Sequence, residues 1–213
     1  LSALMTGYLA LQKTPVYAFY HSKYLLWNMI NNGFHPGKGV DILNTDPSIL
    51  KHAPAPLPSA DHFSIWHQLN QQIQPILCIL PASFMPEVGI NLGYALPNAK
   101  TKNEICALSG RIINTSEGID LCGSLRFGGS HHIASIILAA MKHHQDLRSA
   151  MNIIYSESNL EYCKDAGLRI ASFDRSYQPK KMDSTMEWGT SHALQHSNKI
   201  PDIIYDTGSA GKE

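Results

Sequence analysis

The chain has 213 residues, with 17 Lys and Arg against 17 Asp and Glu. It is long enough to bury a core, and its neutral balance gives no broad basic field for nucleic acid or a membrane surface, so neither is an expected partner. Hydrophobic residues make up 44%, which is ordinary for a globular protein, and no apolar run reaches membrane-spanning length. The four cysteines, Cys78, Cys106, Cys122 and Cys163, form no C-x-x-C pair and read as free thiols in a reducing, cytoplasmic setting.

The opening LSALMTGYLAL is apolar but lacks the basic start and cleavage pattern of a secretory leader. The leading leucine is read as the mark of a processed or excised chain. Residues 1–33 read as two helical segments. Val16, Phe19, Tyr20, Tyr24, Leu25 and Met29 fall at three- and four-residue spacing, Pro15 suits a helix start, and Asn31, Asn32 and Gly33 make a stop. PGKGVDILN follows as a loop. The Pro-rich stretch at 51–59, centred on PAPLPS, favours extended chain and is taken as a linker and domain boundary. Two helices and a loop cannot bury a core alone, so residues 1–50 are expected to pack on something else. Apolar side chains left open there suit a homodimer contact.

Beyond the linker, 61–74 reads as a helix with Phe63, Trp66 and Leu69 on one side. MPEVGINLGYALP reads as a strand entering a loop. GRIINTSEGIDLCGSL reads as two strands joined by a turn at Ser116–Gly118. Ile133–Lys142 is the strongest helix, with Ile133, Ile136, Ile137, Ala140 and Met141 on one face. MNIIYS reads as a strand, SNLEYCKDAG as a helix, LRIASFDR as a strand, HALQHSNK as a last helix and DIIYD as a last strand. Strands and helices mix without strict alternation. That predicts an α/β fold whose sheet has some antiparallel pairing, not a doubly wound parallel sheet.

The chemistry gathers at RFGGSHHIA. Gly128 and Gly129 let backbone approach a ligand, Ser130 is a good helix cap, and the free N–H groups of a helix start attract anions. Arg126 just upstream can clamp a phosphate. Capped helices without ligands are commoner, and an ordinary capped start stands as the alternative. His131 and His132 open this helix and His143 and His144 close it. Eleven residues at helical rise put the pairs roughly 17 Å apart, too far to share one ion. No zinc site is expected there. His143 and His144 suit the negative helix end. In PDIIYDTGSAGKE only two residues separate Gly208 from Gly211-Lys212, where a Walker A loop needs four. A strand ending in a glycine loop with Lys212 can still meet an anion; a mobile tail is the alternative.

The stretches MPEVGINLGYALPNAK, GRI at Gly110–Ile112, RFGGSHHIA, RSAMNIIYS, LRIASFDR and PDIIYDTGSAGKE together resemble, in order, the archaeal-type thiamine-phosphate synthase (ThiN) family over residues 83–213. SALMTGYLA and GKGVDILN resemble the tail of hydroxymethylpyrimidine (phosphate) kinase. The resemblance implies a fusion: residues 1–50 as a kinase remnant without kinase activity, 51–59 as linker, and 60–213 as the synthase domain. It implies a three-layer α/β/α sandwich with a mixed sheet, like the class II aldolase (AraD) fold. It implies that hydroxymethylpyrimidine diphosphate and thiazole phosphate combine to thiamine phosphate with release of pyrophosphate.

Two phosphorylated substrates need at least two anion pockets. Arg111 is the expected holder of the diphosphate, since a guanidinium stays charged and grips two oxygens. A strand-end surface charge is the alternative. By resemblance His132, not His131, matches the family histidine. It is the expected general acid or donor to the leaving group, kept neutral by the positive helix end. Arg126, Gly128, Gly129 and Ser130 would cradle a phosphate. Asn152, Asp174, Arg175, Gly208, Gly211 and Lys212 join the substrate-binding set. Asp174 would orient Arg175 or meet the aminopyrimidine ring, with a structural ion pair as the alternative. Asp206 is the expected ligand of Mg²⁺ brought with the diphosphate, with Glu87 and Asn91 as weaker candidates. Two other functions compete: a thiamine-phosphate sensor without catalysis, and an aldolase-like metal enzyme, which would need facing histidines.

Overall fold

The computed structural model describes residues 1–46, 59–182 and 184–208. Most of the Pro-rich linker, together with Gly211 and Lys212, lies outside them. The chain forms two compact units, residues 1–68 and 69–213.

The first unit is helical and aromatic. Helices α1 (Ser2–Ala10) and α2 (Pro15–Asn31) form where the spacing predicts them. Thr14 accepts a hydrogen bond from the Tyr17 N–H at 3.2 Å, and Pro15 occupies the first turn, where its missing N–H costs nothing. Helix α3 (Ala60–Ile79) is longer than expected and passes through Pro75. Its first half supplies what residues 1–50 need to pack on. Tyr24 meets Trp66 edge to face at 4.8 Å, and both are buried. Leu11, Val16 and Ile30 stay exposed.

The second unit is built on a four-stranded antiparallel sheet, ordered β5-β2-β1-β6. Its strands are β1 (Leu92–Ala95), β2 (Ile105–Leu108), β5 (Leu125–Phe127) and β6 (Ser149–Met151). Strand β2 is buried along its whole length. Thr101 and Glu104 cap the short turn before it reciprocally. The expected strand pair appears as a separate hairpin, β3 (Arg111–Thr115) with β4 (Gly118–Cys122). Strand β6 lies upstream of the expected MNIIYS, and residues 152–156 run as irregular chain. Strands β2 and β5 were not expected at all.

Helix α4 (His131–His143) lies on the sheet with Ile133 over Gly93, where a Cβ would come within 2.8 Å of the isoleucine methyl. Glycine in the central strand is what lets the helix sit down. Helix α5 (Glu157–Asp165) follows. Strands β7 (Ile170–Phe173) and β8 (Ile203–Asp206) pair in parallel as a two-stranded sheet. Helix α6 (Thr185–Gln195) starts before the expected HALQHSNK. It packs along α4, where Lys142 reaches Glu187 at 2.6 Å, and it carries the Phe173 ring against Gly189. The architecture is mixed α/β with antiparallel and parallel pairing.

Candidate functional site

Register places the candidates at two ends of the sheet. At one end, Leu92, Leu108, Leu125 and Met151 form the last row. Just beyond it lie Asn91, Gly110–Arg111 and Asn152. At the other end the Gly128 N–H donates to Ile105 O at 2.9 Å, and α4 begins. The central strands β1 and β2 between them are four residues long, a span of roughly 10 Å at strand rise.

The first end is tied by two asparagines. Asn91 is 4% exposed. Its side-chain N–H₂ donates to Leu108 O and Gly110 O, each at 2.9 Å. Asn152 Oδ1 accepts from the Asn91 N–H at 2.8 Å, and its N–H₂ donates to Gly89 O at 3.2 Å. Ile90 and Ile112 exchange backbone hydrogen bonds at 2.7 and 2.8 Å. Gly89 turns at φ +76°, with Arg111 Cβ only 3.1 Å from where its own Cβ would stand. Arg111 is exposed, and its guanidinium has no hydrogen-bond or ion-pair partner among the described residues. Asn91 Oδ1 is buried and accepts nothing among them. An orphaned buried acceptor costs roughly 1–3 kcal/mol. Turning the amide over would aim its oxygen at two carbonyls, so the cost stays. Asn152, expected to bind substrate, therefore spends its side chain on the loop beside Arg111.

Continuing from Asn152, Tyr155 stacks on Tyr205 with ring centres 5.4 Å apart. That brings residues 152–155 beside the end of β8. Asp206 there is 5% exposed. Its carboxylate pairs with the Arg175 Nε–H and accepts the Arg175 and Gly208 backbone N–H groups at 3.2 and 2.8 Å. Asp206, expected to hold Mg²⁺, is instead committed through both oxygens, and the adjoining guanidinium repels a cation. The carboxylate does not fit a resident metal ligand. Gly208 is pressed against the Arg175 stem, where a Cβ would stand 2.6 Å from Cγ. Asp174 caps the short turn Arg175–Tyr177. Hydrogen bonds from the Ser176 hydroxyl and N–H hold its carboxyl below the usual range. The carboxylate paired with Arg175 is thus Asp206. Glu87 lies exposed in the turn before Gly89.

At the second end Ser130 caps α4, accepting from the Ile133 N–H at 3.4 Å. Gly128, at φ +70°, and Gly129 sit where neighbouring atoms leave no room for a Cβ. Their amides are spent on Ile105 O and Arg126 O. The glycines are thus explained by the fold, and the first turn of α4 carries the exposed His131 and His132. Arg126 is exposed in β5 opposite Ala107. His143 and His144 end the helix as expected. Among the described residues no cluster of three His, Cys, Asp or Glu could hold a metal. Cys106 and Cys163 are buried, Cys78 and Cys122 exposed, and all four are free. Burial pushes the Cys106 thiol well up.

The structure thus joins Arg111, Asn91 and Asn152 at one corner, with Arg175, Asp206 and Gly208 adjoining through the tyrosine stack. It leaves Arg126–His132 at the other end. Tyr155 and Tyr205 escaped sequence reasoning. Both sat inside quoted motifs, NIIYS and DIIYD, but a tyrosine at a strand end reads as packing until its partner is known.

Residues 69–213 match the family described as thiamine-phosphate synthase ThiN. The bifunctional thiamine biosynthesis protein ThiDN of Methanocaldococcus jannaschii is 44% identical over 132 residues, 62% of this chain and 31% of that protein. The thiamine-phosphate synthase ThiN of Methanothermobacter thermautotrophicus is 36% identical over 133 residues, 61% of this chain and 70% of that one. The chain therefore spans under a third of the bifunctional relative. Among solved structures, the C-terminal domain of protein MJ0236 superposes with TM-score 0.65 at 39% identity, over 70% of this chain and 81% of that one. The C-terminal domain of a phosphomethylpyrimidine kinase does so with TM-score 0.65 at 31% identity, over 71% and 88%.

Proposed function

The chain belongs to the thiamine-phosphate synthase ThiN family, and on that premise we propose that it joins hydroxymethylpyrimidine diphosphate to thiazole phosphate. The family match over residues 69–213 carries this reading. The bond between the pyrimidine methylene and the diphosphate oxygen breaks, and its electron pair leaves with pyrophosphate. The thiazole nitrogen lone pair forms the new carbon–nitrogen bond. Catalysis then rests on stabilising charge that grows on the leaving group. Arg111 offers a guanidinium, unpaired among the described residues, for two of its oxygens. His132, in the first turn of α4 at the opposite end of the sheet, is kept as the donor to the leaving group by family resemblance alone. Arg126 and that turn receive the second phosphate. Gly211 and Lys212 are kept as substrate contacts by family resemblance alone.

Mg²⁺ belongs to this reading as a companion of the substrate diphosphate, held mainly by its oxygens. We read the fold as the three-layer AraD-like sandwich, residues 1–50 as a kinase remnant, and the assembly as a cytoplasmic homodimer covering the exposed apolar side chains of the first unit.

The test is thiamine phosphate formation from the two substrates with Mg²⁺. Arg111→Ala and His132→Ala should each lose about 10²–10⁴-fold in turnover with folding intact. No turnover by the parent chain, together with tight thiamine phosphate binding, would replace catalysis by sensing.

A further inference from the structure

We propose that Asn91 and Asn152 are positioning residues that fix Arg111 for the diphosphate; this rests on the reading that Arg111 holds that group. The residue before Arg111 is held through its carbonyl by the Asn91 N–H₂ at 2.9 Å. The residue after it is held through both backbone groups by Ile90. Its own Cβ rests on Gly89, whose carbonyl Asn152 grips. Asn152 also fixes the Asn91 backbone. The backbone of Arg111 is therefore pinned on both sides while its guanidinium stays open to solvent. Such an arrangement holds a cationic head in place before its ligand arrives. Asn152 thereby changes role, from a substrate contact to a support for one.

The deciding measurement is calorimetric binding of inorganic pyrophosphate to the full chain. Asn91→Ala, Asn152→Ala and Asn152→Ser are compared, each with and without Arg111→Ala. Asn152→Ser is the mildest of these. It keeps a neutral polar group, one atom shorter than the amide and without added charge, so a variant that fails to fold does not decide the matter. Each asparagine change should weaken pyrophosphate by about 10–100-fold when Arg111 is present and add nothing once it is alanine. In turnover, kcat should fall in the same pattern while KM for thiazole phosphate holds. Equal weakening in both backgrounds, or none in either, overturns the positioning role. So does an Arg111→Ala chain that binds pyrophosphate as tightly as its parent. Coupling in binding from a parent chain that makes no thiamine phosphate would sink the synthase reading and leave the positioning standing.

Discussion

Arg111 and Arg175 both stood out in the sequence as phosphate contacts, and the fold holds them in opposite ways. Arg175 is gripped by its head, which pairs with a carboxylate that is 5% exposed. Arg111 is gripped by its backbone, and its head meets nothing among the described residues. A charge already answered inside the protein serves the fold, and removing its partner strands it. A charge whose backbone is held and whose head is unanswered stays open to a ligand. Asp206 makes the contrast possible, because its two oxygens serve Arg175 and Gly208 together.

The largest effect expected on stability comes from Asp206→Asn. It leaves Arg175, at 29% side-chain exposure, partly buried without its anion. A loss of about 2–4 kcal/mol follows, a fall in Tm of roughly 5–10 °C. Arg111→Ala should stay within about 0.5 kcal/mol of the parent. Calorimetric melting of both variants checks this, and equal losses would erase the contrast. Next comes Gly89→Ala. Its Cβ would be forced into φ +76° and lie 2.7 Å from Ile112 O. About 1–3 kcal/mol should be lost, and pyrophosphate binding should weaken because Arg111 is pushed aside. Unchanged binding would show that the Arg111 backbone need not be held.

The smallest effect belongs to a third arginine. Arg169 grips Asp202 with two hydrogen bonds, at 2.8 and 2.9 Å, in the open. These bonds, with the Arg169 N–H, hold the Asp202 carboxyl down at about 2. The folded value lies below the ordinary 3.8, so the stabilisation is present above about pH 4 and is lost as pH falls toward 2. It should be slight and fade with salt, because the pair is exposed. Melting curves of the parent and Asp202→Asn should converge only as pH falls to about 2. A gap that persists there would show that the pair works through packing, not charge.

Much of the fold was legible. Pro15 and Ser130 announced their helices through the chemistry of helix starts. The hairpin showed as two strand-like runs either side of the turn at Ser116–Gly118. What was not legible is instructive. Strand β2 is only ICAL, buried throughout, and a short continuous apolar run has no period to read. Strand β5 is LRF, three residues that pair only because β2 is there. At the site, Arg111 was found by residue type and resemblance. Its support was not, because Asn91 lies 61 residues from the Asn152 that holds its backbone. Glycines 128 and 129 misled in the other direction. Their pattern suits a phosphate loop, yet Gly129 is required by the Ala107 carbonyl packed against it. A glycine tells that something comes close, but not whether it is a ligand or the protein itself.

The Asn91 amide has one more consequence. Both of its hydrogens point inward to carbonyls on either side of the strand end. Water reaches them only when that corner opens, so they should exchange with solvent as slowly as the sheet around them. Two side-chain resonances from a single residue would therefore report, in the absence of any substrate, how often the corner beside Arg111 comes apart.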